Sequence, residues 1–414
     1  MSSDGGFFIT EWLRDVLTNL GLSDGLVTLI VTVLGVVILA TVILLVAIVL
    51  VWLERKLAAR IQDRVGPNRV GPFGLLQPVA DIVKLILKED ITPEGADRTI
   101  FNFAPILVTG SVLLLWAVIP FAPQIIGADL NVGVLYIVAI GGLGTLGIIM
   151  AGWSSNNKYA LLGAFRSVAQ LISYEVPLIL VLLVPVILSR SMGMNSIVAA
   201  QDVWFVVYSP LAAIIFLVAS IAEIGRTPFD LLEAESEIVA GYHIEYSGMK
   251  FGLFLAAELI HALLIAALTA TLFLGGWRGP FVESVPYLGV LWFILKTAVI
   301  YFIIVWVRGT LPRVRIDHML DFNWKMLVPL ALILLAVTAV ADKLVEGSGL
   351  AVRVGAHLGI SIVIILAAVQ ILRSVSMRTR REKVAEPMPF AEPPPPAPEP
   401  DPAPAPEPAA PPAS

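Results

Sequence analysis

The chain has 414 residues, of which 58 % are hydrophobic and only 14 % charged, and its mean hydropathy is +0.89. Soluble domains carry about a quarter charged residues, so the composition excludes that class and indicates a chain that crosses a membrane several times. The net charge of −5 comes entirely from residues 385–414, which hold five acids and no bases, so no basic surface suggests nucleic acid as a partner. Cysteine is absent, which excludes disulfides, Cys-ligated zinc and thiolate-held Fe–S clusters.

Residues 1–25 carry Asp4, Glu11, Asp15 and Asp24 against Arg14, the reverse of a basic signal-peptide start, and read as an external N-terminal segment. A bilayer core needs about 20 apolar residues per helix. Nine segments fit that requirement or nearly fit it: Leu26–Leu53, Phe101–Phe121, Val132–Trp153, Val168–Ser189, Val203–Ile224, Phe251–Leu274, Val290–Val307, Met326–Ala341 and Gly355–Leu372. Prolines at 105, 120, 177, 185 and 210 are tolerated where neighbouring helices re-satisfy the backbone. In alternate connections Lys and Arg sum to 20 on one side and 5 on the other. The positive-inside rule then puts the N-terminus outside and the C-terminus in the cytoplasm, with nine crossings.

Between the first two spans, Gln77–Asp90 places Asp81, Lys84 and Lys88 on one helical face among apolar residues, with Pro78 in the first turn. It reads as an amphipathic helix lying in the membrane interface. Residues 376–414 form a cytoplasmic basic stretch and then, from Ala385, a Pro/Ala-rich tail with 14 prolines in 30 residues, expected to be extended and disordered. The expected fold is all-α: a polytopic membrane body over 26–375, an interfacial helix and a disordered tail. No internal repeat is evident, which weighs against an inverted-repeat transporter.

Three groups of residues could carry chemistry. Glu175, Glu223, Glu258, His261 and Lys296 fall inside apolar spans, where an ionisable group is costly and so suggests a function, although some could pair off or sit at span ends. His261 and His357 fall at different membrane depths, which argues against a shared haem. Residues 226–249 hold Asp230, Glu233, Glu235, Glu237 and Glu245 against the single base Arg226 up to Lys250. If the segment is helical, Asp230, Glu233 and Glu237 share a face, and coupled acids of this kind can hold or pass a proton. A solvated acidic loop is the alternative. Glu54–Gly74 combines Arg55, Lys56, Arg60, Arg64 and Arg69 with two Gly-Pro turns, Gly66-Pro67 and Gly71-Pro72. This is either an anchor on anionic lipid or a rigid docking surface.

At these residues the sequence resembles the H-type membrane subunit of the proton-pumping NADH:quinone oxidoreductases (respiratory complex I), the bacterial counterpart of mitochondrial subunit 1. The resemblance covers about residues 26–375. It rests on Glu54-Arg55-Lys56 through Gly66-Pro67-Asn68 to Lys88-Glu89, on Ala222-Glu223 through Pro228-Phe229-Asp230 and Glu235-Ser236-Glu237 to Glu245-Tyr246, and on Arg308, Pro312-Arg313, Arg315 and Asp317. Ser173-Tyr174-Glu175-Val176 also fits. Leu259 after Glu258 departs from the usual Tyr, and Val314, Ile316 and His318 replace expected aromatics and a Gln.

The resemblance implies a subunit of the bacterial plasma (inner) membrane that docks the peripheral redox arm and forms most of a lateral quinone tunnel. It assigns tunnel roles to Glu54, Arg55, Lys56, Arg64, Asp81, Lys84, Phe229 and Arg313. It assigns a proton path to Glu175, Glu223, Asp230, Glu233, Glu235, Glu237, Glu245 and Glu258. No metal, covalent cofactor or catalytic residue is expected in this chain, quinone is the expected substrate, and Fe–S clusters and FMN are expected only in partner subunits. Those partners are the peripheral quinone-site subunits and the antiporter-like membrane subunits, with lipid around them. The alternatives are the equivalent subunit of an energy-converting hydrogenase and, in a different class, a stand-alone ion antiporter.

Overall fold

A computed structural model of the protein describes residues 8–20, 23–230 and 239–385, with side chains from 14 onward within those ranges and up to 374. Glu233, Glu235 and Glu237, and the tail beyond Ala385, lie outside the described residues. The chain divides into a unit of residues 1–365 and a second of residues 366–414.

The protein is an all-α polytopic membrane protein. Among the described residues, eight helices are long and apolar enough to cross a bilayer. They are α2 (Asp24–Ile61), α4 (Arg98–Val118, its last turn 3-10), α5 (Gly133–Ser154), α6 (Lys158–Ser189), α10 (Gly248–Phe273), α11 (Leu288–Thr310), α12 (Ile316–Leu344) and the helix α13, which runs from Leu350 to Ala385. Shorter helices are α1 (Phe8–Asn19), α3 (Gln77–Leu87), α7 (Met194–Ala199), α8 (Phe205–Tyr208) and α9 (Pro210–Ile224).

The predicted fifth span differs from the observed one. Val203–Ile224 is broken at Ser209, whose backbone is extended (φ −139°, ψ 79°). A residue before proline is pushed out of the helical region, so Pro210 separates α8 from α9. What remains, α9, has 15 residues and is about 22 Å long at 1.5 Å per residue, short of the roughly 30 Å core. The predicted eighth span is too short for a different reason. Asp317, Asp321 and Lys325 interrupt the apolar run, but the helix continues through them by way of a π turn at Asn323–Leu327. The first helix, α1, falls in the segment that hydropathy leaves without structure.

Helices in a bilayer gain nothing from hydrophobic burial against each other, so close packing and buried polar bonds must hold them. Gly152 on α5 shows the first: a Cβ there would lie 2.3 Å from the Ala164 Cβ on α6, so only glycine permits this approach. α6 shows the second. Gln170 Nε2 donates to the carbonyls of Ala222 (2.7 Å) and Phe229 (2.9 Å), and Tyr174 OH donates to Met319 O at 3.0 Å. Asn323, in the π turn, donates to Ser173 O. The core formed in this way runs along α4, α6, α9 and α10, where Phe101, Tyr174, Phe216, Ile260 and Phe273 are fully buried.

Candidate functional site

The site is built around the end of α2. Past the apolar run, the same helix continues into Glu54–Ile61, which carries Glu54, Arg55, Lys56 and Arg60. Glu54 is buried and accepts from three partners far away in sequence. Arg226 Nη1 and Tyr301 OH (2.6 Å) donate to its Oε1, and Arg308 Nη1 donates to its Oε2 at 2.8 Å. Arg226 follows α9, which Gly225 ends in a left-handed conformation (φ 73°) that turns the chain back to the bundle. Its Nε donates to Glu258 Oε1 at 2.9 Å. Two guanidiniums thus balance two carboxylates, and with both acids ionised the cluster is neutral. That balance matters because an unpaired buried charge is costly.

The cluster faces a cavity of about 670 Å³. Its wall includes Glu54, Arg55, Arg64, Arg226, Glu258 and Arg308 beside the apolar Val51, Leu255 and Val305. Both the size and the mixture of a few charged groups with apolar surface suit an organic ligand. Glu258 also lines a second cavity of about 80 Å³ together with Glu223 and His261. Those last two line a third, of about 30 Å³, with Glu175. Neighbouring cavities therefore share titratable wall residues: Glu258 is common to the first and second, and Glu223 and His261 to the second and third.

The other predicted tunnel residues lie around this cavity without lining it. Lys56 Nζ donates to Pro67 O at 2.7 Å, tying α2 to the first Gly-Pro turn. Asp81 on α3 pairs with Arg55 and accepts from Gln77 at 3.1 Å, linking α3 to α2. Lys84 lies on α3, whose apolar residues Val79, Val83, Ile86 and Leu87 are exposed. Phe229 is buried against Tyr174, ring centroids 5.5 Å apart. Arg313 Nε donates to Asp230 O at 2.8 Å, fastening the loop after α11 to the start of the acidic segment. Glu245 accepts from Asn157 at 2.6 Å and lines none of the three cavities.

The turns behave differently from one another. Gly71 (φ 72°) and Gly74 (φ 76°) have positive φ, and a Cβ at Gly74 would lie 2.4 Å from the Pro67 carbonyl carbon. Gly66 does not have positive φ; its constraint is contact, 3.0 Å from a built Cβ to the Ala59 Cβ.

Sequence reasoning missed Tyr301 and Arg308 as partners of Glu54, although Arg308 opens the motif that runs on to Asp317. It also grouped Lys296 with the candidate functional charges. Lys296 Nζ instead donates to the carbonyls of Leu274 (2.7 Å), Gly276 (3.0 Å) and Arg278 (2.6 Å), capping the end of α10. Among the described residues, no group of three or more His, Asp or Glu is arranged to hold a metal ion.

The NADH dehydrogenase family profile matches residues 34–339. The chain is 50 % identical over 318 residues to the H-type subunit of the NADH-quinone oxidoreductase of Dehalococcoides mccartyi strain CBDB1, covering 77 % of this chain and 89 % of that protein. It is 49 % identical over 294 residues to the same subunit of Anoxybacillus flavithermus, covering 70 % and 88 %, and 48 % identical over 300 residues to that of Brevibacillus brevis, covering 72 % and 89 %. On these matches the chain belongs to the family of H-type subunits of NADH-quinone oxidoreductase, and it is a multi-pass membrane subunit of that complex.

Proposed function

We propose that this subunit admits quinone from the bilayer through the 670 Å³ cavity, docks the peripheral redox arm, and couples quinone reduction to proton movement. The observation that carries this reading is the charge-balanced cluster of Glu54, Arg226, Glu258 and Arg308 facing a cavity large enough for an organic ring. A quinone accepting electrons develops negative charge on its oxygens. Arg55, Arg64 and Arg308 are cations lining the cavity that favour that charge. The added charge disturbs the balance at Glu54 and Glu258 and favours proton uptake there, and the neighbouring cavities offer a route onward to Glu223 and Glu175. To Asp230, Glu233, Glu235, Glu237 and Glu245, the acids that follow Arg226 in the sequence, we assign the supply or collection of its protons.

Lys56, Asp81, Lys84, Phe229 and Arg313 support the tunnel by holding the turns, α3 and the loops that shape its mouth. The basic, twice-turned segment 55–74 is the docking face. The chain sits in the bacterial plasma membrane with its basic side and C-terminus in the cytoplasm, surrounded by lipid and by other subunits that hold the Fe–S clusters and FMN. Extraction in mild detergent with a tag on this chain tests the reading. The peripheral subunits and quinone should co-purify with it. Recovery of the chain alone, active as an ion antiporter in liposomes, would contradict the reading.

A further inference from the structure

The acid route leaves one intramembrane group unused. His261 follows Glu258 by three residues on α10, so both occupy the same helical face. Among the described titratable side chains, only Glu223 and His261 line both smaller cavities, while Glu258 is confined to one of them and Glu175 to the other. Opposite them on α5, Gly141 lines both cavities, and a Cβ built on it would stand 4.0 Å from Glu223 Oε1. No α5 side chain fills the junction at that point. Both cavities exceed the roughly 10–15 Å³ that admits a water, and at about 30 Å³ per water they have room for about two and about one. The groups facing His261 there are Glu258 from its own helix, Glu223 from α9 and Glu175 from α6, with Ser111, Thr145 and Tyr242 as neutral polar neighbours.

We propose that His261 is the relay that passes protons between the Glu258 side and the Glu175 side of this junction. The proposal rests on the proton-path reading above and adds a residue to it. A neutral imidazole has one N–H and one bare nitrogen. It can accept a proton on the bare nitrogen and release the other to a carboxylate or water beyond. The ring is neutral before and after, one proton enters and one leaves, and a water-assisted exchange of tautomers resets it.

The test compares His261→Gln, His261→Ala and Glu258→Gln in inverted membrane vesicles, each rate normalised to assembled complex through NADH:ferricyanide activity. His261→Gln keeps size and hydrogen bonding but cannot relay a proton, so it should keep ferricyanide activity and lose roughly a hundredfold in quinone-linked pumping, the low end for a positioned acid–base group. In His261→Ala vesicles, added imidazole should restore pumping severalfold. Pyrazole, of the same size but a far weaker base, should not. Parent-like pumping in His261→Gln, or equal rescue by both compounds, or rescue by neither, would overturn the relay role. If Glu258→Gln still loses pumping in that case, the acid path stands without His261. If Glu258→Gln also pumps like the parent, the path itself is wrong.

Discussion

The two ends of the helix bundle both bury charged side chains, yet use them in opposite ways. At one end, Lys296 spends all three of its protons on the carbonyls of Leu274, Gly276 and Arg278, and Asp342 is enclosed by Arg353 (3.0 Å) and Arg190 (3.5 Å). Neither residue lines any of the cavities that hold the acids. At the other end, Glu54 and Glu258 share Arg226, Glu54 also pairs with Arg308, and all four face 670 Å³ of open space. A buried charge by itself therefore says little. One closed onto backbone holds helices together, and one that balances partners while facing a cavity can respond to what enters.

That contrast can be broken in graded steps. Arg226→Ala should have the largest effect, because it removes the guanidinium paired with Glu258 and leaves Glu54 with only Arg308 and Tyr301. Removing one partner of a buried pair typically costs about 3–5 kcal/mol. Blue-native gels should show little assembled complex, and normal assembly would mean the cluster is far better hydrated than its burial indicates. Lys296→Met should cost roughly 2–4 kcal/mol, since three carbonyls lose a charged donor and the relief from burying a charge offsets only part of that. Here quinone and ferricyanide activities should fall in step with assembled protein. A selective loss of quinone activity would move Lys296 into the working set.

A third step uses pH. His243 lies outside the spans between the rings of Tyr242 and Phe251, and burial lowers its pKa from 6.5 to about 4. The unfolded chain binds the proton first as pH falls, so the stability this histidine contributes is complete above about pH 6.5 and declines toward pH 4, by at most about 3 kcal/mol. Thermal midpoints of detergent-purified protein at pH 7 and pH 5 should differ less in His243→Phe than in the parent. Equal differences would remove His243 from the account. The smallest effect is expected at Gly71→Ala, where the positive φ (72°) costs about 1–3 kcal/mol of strain and an added Cβ meets only the Leu76 side chain, which can shift. Weakened attachment of the peripheral arm on native gels is the expected readout.

The membrane body was legible because hydropathy reads a long apolar run directly, as at α2 and α10. It failed where a run is broken by chemistry rather than by length. Pro210 ends a helix inside an apolar stretch, and Asp317, Asp321 and Lys325 hide a helix inside a polar one. The site was legible in its residue types, since Glu54, Arg55, Arg64, Glu175, Glu223 and Glu258 do line the neighbouring cavities. Its pairing was not. Glu54 meets Arg226 and Tyr301 across 172 and 247 residues, and local spacing carries no information about such contacts. Phe229 and Arg313 stand beside chemistry-bearing residues in sequence, yet their side chains hold the loop and core together.

The central claim is that charges facing the neighbouring cavities serve quinone-linked proton movement, whereas those closed onto backbone do not. Glu223→Gln tests it most directly, because it keeps the shape of a side chain shared by both smaller cavities and removes only its charge. NADH:quinone and NADH:ferricyanide rates should be measured in the same inverted vesicles. The account predicts unchanged ferricyanide activity and assembly, with quinone reduction and pumping reduced roughly a hundredfold or more. Parent-like quinone reduction and pumping in Glu223→Gln would contradict it.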